Sequence, residues 1–324
     1  MGCPGKHKLY PFQIFKMERN IKSKSVMLSK RANVFYLEHV RVMQKNERVV
    51  YLTEAVNGIQ QFVSIPDKNT TFILLGKGTS ITDSAVRKLA ESNVVIGFCG
   101  SGGSPLFADI DIAFLTPQDE YRPTEYGQKW FEIWSNEKLR INLAKHFLIY
   151  RGQKASEWYA NNNKNINQEI FNKLIYNTKI TDNIPYLCIV EAHYVKSLDS
   201  ELAKDVGIRF TREQAVKKSE NPAQKANSFL DHGNYIAYGY ASVALHGLGI
   251  PYFLPILHGK TRRGALVFDV ADLFKDYLVM PLAFEMSIRN AKDTEFRAKI
   301  IDSAQNLELL DDVMTFLKTA IENI

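Results

Sequence analysis

The 324-residue sequence predicts an α+β protein in two domains, a small β-rich N-terminal domain followed by a larger all-α domain. Three observations carry that expectation. Short runs rich in β-branched and aromatic residues fill the first third of the chain, broken by polar punctuation. A polar stretch with two prolines, Thr116 to Pro123, then interrupts it. Beyond that stretch, apolar residues recur at helical spacing as far as the C-terminus. The boundaries read from these changes are a basic arm at 1–24, a β-rich domain at 25–117, a linker at 118–124 and a helical domain at 125–324.

The arm holds Lys6, Lys8, Lys16, Arg19, Lys22 and Lys24 against Glu18 alone. No apolar segment follows it, so it reads as solvated and not as a secretory signal. Ala32 to Val42 reads as one strand, with further strands at 48–53, 61–65 and 71–75. Ser80 to Asp83 is a capping pattern ahead of a helix carrying Ala85, Val86, Leu89 and Ala90. Val94 to Cys99 returns to strand. Gly100 to Gly103 follows it without a helix or a Gly-Lys-Ser/Thr signature, and reads as a turn and not as a phosphate cradle. Thr124 can cap a helix bearing Trp130, Ile133 and Trp134, and Leu310, Val313, Met314, Leu317 and Ile321 mark a last helix. From Tyr235 to Leu257 no residue is formally charged, a run long enough to span a bilayer. Gly249-Ile250-Pro251 breaks it, so it reads as a buried helix of about three turns, a turn and a short apolar strand. That places it in the core, with no membrane partner.

Composition narrows the class further. With 45% hydrophobic and 23% charged residues, disordered and fibrous classes are excluded. The net charge of +6 and a pI near 9.0 suit an anionic partner such as nucleic acid. Cys3, Cys99 and Cys188 are odd in number and scattered, which argues against a disulfide framework and a cysteine zinc site and fits a reducing cytoplasm.

The densest chemical cluster runs from His258 to Asp276. Asp269 and Asp272 are three apart and share a face if this stretch is helical, and Lys275 continues that face. Carboxylates so close repel unless a proton or cation lies between them. A divalent metal supplies that charge, and the His258 imidazole is a reasonable added ligand. Lys260, Arg262 and Arg263, flanked by Gly259 and Gly264, suit phosphate oxygens. The competing structural explanation is that the aspartates cap a helix and the basic loop is solvated surface. Glu191 is a second candidate, an acid in an apolar run that joins a metal site only through residues distant in sequence. His193 lies two positions on and faces the other way on a helix.

Several ordered segments carry a resemblance: Glu191-Ala-x-Tyr194, Asn227 to Ala241, Gly249-Ile-Pro251, His258-Gly-Lys260 and Phe268-Asp269-Val-x-Asp272-Leu-x-Lys275-Asp276. Together they resemble the CRISPR-associated spacer integrase, a metal-dependent DNase. The variants Leu257-His-Gly-Lys-Thr-Arg-Arg-Gly264 and Phe268-Asp-Val-Ala-Asp-Leu273 resemble its subtype I-F branch. The resemblance implies a β-rich domain followed by an all-helical catalytic domain. It implies Glu191, His258 and Asp272 as ligands of Mg²⁺ or Mn²⁺, with Asp269 beside them; zinc also suits the ligand types. It implies transesterification, in which a 3′-OH of foreign DNA attacks the repeat backbone of a CRISPR array. The implied partners are DNA with splayed or single-stranded ends, repeat DNA, a second copy of the chain, and a second adaptation subunit fused in this subtype to the interference nuclease-helicase. At His39 it implies a planar side chain stacking on a duplex end, and the phosphates fall to Lys260, Arg262, Arg263 and Lys275. The alternatives are a catalytically silent DNA-binding scaffold and a stand-alone structure-specific nuclease of repair or of a mobile element.

Overall fold

The computed structural model describes residues 33–53, 61–98, 113–115, 124–213, 221–259 and 264–324. The arm at 1–24, the loop at 100–103, most of the linker at 118–124 and the basic residues Lys260, Arg262 and Arg263 lie outside the described residues.

Among its described residues, the first third forms two four-stranded sheets, a short 3-10 turn at Asp67–Asn69 and one helix. One sheet has the order β1 (Asn33–Leu37), β5 (Thr70–Leu75), β7 (Val95–Phe98), β8 (Ala113–Leu115), with β1, β5 and β7 parallel and β8 antiparallel to β7. The other has the order β4 (Gln61–Ile65), β3 (Arg48–Thr53), β2 (Arg41–Lys45), β6 (Ser80–Ile81). The single strand expected over Ala32 to Val42 is therefore two strands in different sheets. The cause is local: His39 takes a left-handed conformation with φ 53°, and its amide bonds the Lys77 carbonyl, which turns the chain between β1 and β2. Helix α1 (Asp83–Glu91) starts as its capping residues imply, with the Thr82 hydroxyl accepting from the Ala85 amide at 3.3 Å.

Strand β5 is buried along its whole length, and strand alternation divides its duties. Ile73 and Leu75 enter a small core with Val42, Val49, Ile65, Leu89 and Ile96, between the sheets and α1. Phe72 and Leu74 face the helices, where Phe72 meets Tyr240 edge to face at 5.3 Å.

The remainder is helical: α2 (Glu125–Ser135), α3 (Glu137–Asn161), α4 (Glu169–Ile180), α5 (Ile184–Asp205), α6 (Pro222–Gly247), α7 (Ala265–Leu278), α8 (Met280–Ile288), α9 (Asp293–Asn306) and α10 (Leu309–Glu322). Helix α6 is the axis, packing against α7, α8, α9 and α10, and from Ile236 to His246 only Tyr238 is not fully buried. That explains the long uncharged run: α6 is apolar on every side because protein surrounds it. No helix among the described residues is long and apolar enough to cross a membrane.

The helix is longer than the three turns expected, and the short strand expected after Pro251 is absent. Residues 250–259 form a bent segment instead. Among the described residues no strand pairs with it, and side chains satisfy part of its backbone. Trp130 and Trp134 donate their indole N–H groups to the Leu254 and Pro255 carbonyls, each at 3.0 Å.

Candidate metal centre

Helix α7 buries three carboxylates, with Asp269 2%, Asp272 8% and Asp276 0% exposed. Such groups are tolerated only when charge or hydrogen bonds compensate them. Each has a different partner.

Asp269 serves the bent segment. Its Oδ2 accepts the amides of Ile256 (2.6 Å) and Leu257 (3.1 Å), and its Oδ1 accepts the His258 amide (3.1 Å). The same Oδ1 lies 2.6 Å from His258 Nδ1. Asp269 is thus not a cap of α7, which begins at Ala265. It fixes three consecutive backbone amides and one face of the imidazole, so His258 presents Nε2 toward Asp272 Oδ2 at 3.9 Å.

Asp272 Oδ1 receives the Lys275 ammonium, one turn on along α7, and that ammonium also lies 5.3 Å from the centre of the Tyr238 ring. Burial penalises the Asp272 charge, but Lys275, Arg151 and His258 hold its carboxyl below the usual range. The Lys275 side chain is 15% exposed, so the structure puts it on Asp272 and not on open surface.

Asp276 binds Arg151 of α3 through two hydrogen bonds, Nε to Oδ2 at 2.6 Å and Nη2 to Oδ1 at 2.8 Å. Tyr194 also donates to Asp276 Oδ2 at 2.8 Å, and Tyr159 donates to the Asp276 backbone carbonyl at 2.8 Å. The third arm of the guanidinium, Nη1, reaches Glu191 Oε1 on α5. The Glu191 side chain is only 12% exposed, its charge taken up by Arg151. Burial pushes its carboxyl up, Arg151 opposes that, and the nearby Asp272 charge raises it again. His193, two positions on, is exposed.

Glu191, His258, Asp269 and Asp272 thus share one electrostatic neighbourhood built from α5, α7 and the bent segment. Burial disfavours charge on His258, but its hydrogen bond to Asp269 and the charges of Asp269, Asp272 and Glu191 prevail and raise it to about 9. The neighbourhood therefore holds a proton at neutral pH where a metal cation would substitute. Among the described residues no three such side chains already encircle a single point. The available donors nevertheless fit a divalent ion. Two ligands about 2.1 Å from a metal lie roughly 3.0 to 4.2 Å apart, from cis to trans, and 3.9 Å between Nε2 and Oδ2 falls within that span. Two carboxylates and one imidazole suit Mg²⁺, Mn²⁺ or Zn²⁺.

His39 sits apart, exposed in the turn between β1 and β2, with its ring over Gly78. Sequence reasoning assigned no role to Arg151 or Asp276. A signal for Arg151 existed: Leu143, Ala144, Phe147, Leu148, Ala155 and Tyr159 form a buried stripe, and Arg151 falls on it. A cation at a core position requires a buried acid.

The chain matches the family model described as CRISPR associated protein Cas1 over residues 35–303. It is 40% identical over 306 residues to a CRISPR-associated endonuclease Cas1 of Pseudomonas aeruginosa (strain UCBPP-PA14), covering 91% of this chain and 94% of that one. It is 39% identical over 306 residues to the protein of the same description in Pectobacterium atrosepticum, covering 89% and 91%. Its fold is shared with a Cas1 protein from Thermotoga maritima (TM-score 0.69, 14% identity, 89% of this chain and 96% of that one). It is shared also with a casposase bound to integration product (TM-score 0.68, 13% identity, 90% and 91%). With a family match across both the strand-rich and the helical regions, and close relatives over nearly the full length, this chain belongs to the Cas1 family.

Proposed function

We propose that this protein is a metal-dependent DNA endonuclease and integrase that inserts foreign DNA into a CRISPR array. Glu191, His258 and Asp272 hold Mg²⁺ or Mn²⁺, and Asp269 orients His258. The observation that carries this reading is the approach of His258 Nε2 to Asp272 Oδ2 at 3.9 Å beside Glu191, with Asp269 holding the opposite side of the ring. When bound, the ion polarises a phosphodiester and lowers the pKa of the attacking hydroxyl. Asp269 keeps Nε2 aimed inward, and Lys275 offsets the Asp272 charge close to where a phosphate would sit. In integration the 3′-oxygen of the incoming DNA bonds to a repeat-strand phosphorus, the bond to the strand's own 3′-oxygen breaks, and the proton passes from the attacking to the leaving oxygen. With water as nucleophile the same displacement is strand cleavage.

Incoming DNA has arbitrary sequence, so binding is read as phosphate contact, assigned to Lys260, Arg262 and Arg263, with Lys275 at the centre's edge and His39 at a duplex end. Solved relatives include a Cas1–DNA complex (TM-score 0.64, 18% identity) and a partial Cas6-RT-Cas1–Cas2 complex (TM-score 0.55, 14% identity). They support DNA and a second adaptation subunit as partners here. A homodimer through the strand-rich region completes the assembly, and light scattering at micromolar concentration distinguishes it from a monomer.

Asp272→Ala tests the reading. Integration and metal-dependent cleavage fall by at least about 100-fold while DNA affinity holds, because the acid binds no phosphate. Full activity in a folded Asp272→Ala protein places the reaction elsewhere.

A further inference from the structure

The buried guanidinium of Arg151 reaches further than a core ion pair requires. Asp276 alone neutralises it, and does so through two parallel bonds at 2.6 and 2.8 Å. The remaining arm crosses to α5 and takes Glu191 Oε1, leaving Oε2 without a hydrogen bond among the described residues. Asp276 itself stands four residues after Asp272, so the two acids share a face of α7. One planar group from α3 therefore spans the two elements that supply the carboxylate ligands.

The bridge is stiffened on each side. Tyr194, three residues after Glu191 on α5, donates to Asp276 Oδ2 at 2.8 Å, and its ring centre lies 5.4 Å from the guanidinium carbon. Tyr159, two turns after Arg151 on α3, holds the Asp276 carbonyl at 2.8 Å. Arg151 is 3% exposed, so water does not compete for these bonds. A lysine could supply the charge but not the three-way planar geometry.

We infer that Arg151 is a positioning residue of the metal centre: anchored by Asp276 and Tyr194, it fixes Glu191 in register with Asp272 and His258. This rests on the reading of those three residues as ligands, and predicts that loosening the bridge weakens the metal site without touching a ligand.

The test is a titration of the full-length protein with Mn²⁺ alone, following free Mn²⁺ by electron paramagnetic resonance, for wild type, Glu191→Gln, Arg151→Lys and Tyr194→Phe. The expected result is one site that Glu191→Gln abolishes, that Arg151→Lys weakens by about tenfold or more, and that Tyr194→Phe weakens by about threefold. Tyr194→Phe removes one hydroxyl and keeps the packing, so it decides the matter if Arg151→Lys does not fold. If Glu191→Gln loses the site while folded Arg151→Lys and Tyr194→Phe bind Mn²⁺ as wild type does, the inference is overturned and the ligand reading stands. If wild type binds no Mn²⁺, or Glu191→Gln binds it unchanged, the ligand reading fails and the inference falls with it.

Discussion

His258 is held between a carboxylate it bonds and two it faces, and this gives the metal-free protein a defined pH response. Its pKa of about 9 in the fold compares with about 6.5 in an unfolded chain. A raised pKa contributes stability that is fully present below about pH 6.5 and is lost as pH rises through about 9. Melting temperature in the presence of a chelator should therefore fall across that window, and His258→Gln should flatten the fall. An unchanged slope in the variant would show that the imidazole carries no such charge. Because a metal must displace that proton, Mn²⁺ affinity should climb over the same range. At this scale the chemistry was partly legible. An acid in an apolar run and an imidazole ahead of paired aspartates are visible in the letters alone. Arg151 was not assigned because its partners lie 125 and 40 positions away, and only its place on a buried stripe hinted at them.

Among the elements, α2 holds the bent segment that carries His258 without contributing a candidate ligand. Its Gly127 packs so tightly on the turn that leads into the bent segment that an added Cβ would stand 2.6 Å from the Gly249 carbonyl oxygen, a backbone atom with little freedom to yield. One and two turns on, Trp130 and Trp134 grip the Leu254 and Pro255 carbonyls, and the next three amides are those held by Asp269. The order of contacts runs from α2 through the segment to His258. Gly127→Ala should cost about 1–3 kcal/mol in chemical denaturation, the overpacking outweighing any gain in helix propensity. A variant as stable as wild type would mean that α2 yields freely and does not set the segment's position. The segment also marks a limit of reading elements from sequence. Pro251 to Leu257 has the apolar content of a strand, but a strand needs a neighbouring ladder, and the chain placed tryptophan indoles and an aspartate there instead. The split of β1 from β2 is hidden in the sequence for a similar reason, since the left-handed turn at His39 leaves no mark in the alternation around it. Helix α1, by contrast, was legible from its capping residues, because a cap is local.

Across the whole molecule, the strand-rich and helical regions are joined by the two faces of β5, one in each core. The order of strands before helices was legible because hydrophobic periodicity is local and changes once along the chain. The convergence of α5, α7 and the bent segment was legible only through the family resemblance, and the part of α3 was not, since it depends on how α3 packs against α5 and α7. That convergence is the central claim: separate elements bring Glu191, His258 and Asp272 to one cation. The most direct measurement is an anomalous difference map from crystals of the full-length protein soaked in Mn²⁺. The account predicts a peak about 2.0–2.4 Å from a Glu191 carboxylate oxygen, His258 Nε2 and an Asp272 carboxylate oxygen. A bound ion that leaves out His258 or Asp272, or that sits at another cluster, would contradict it.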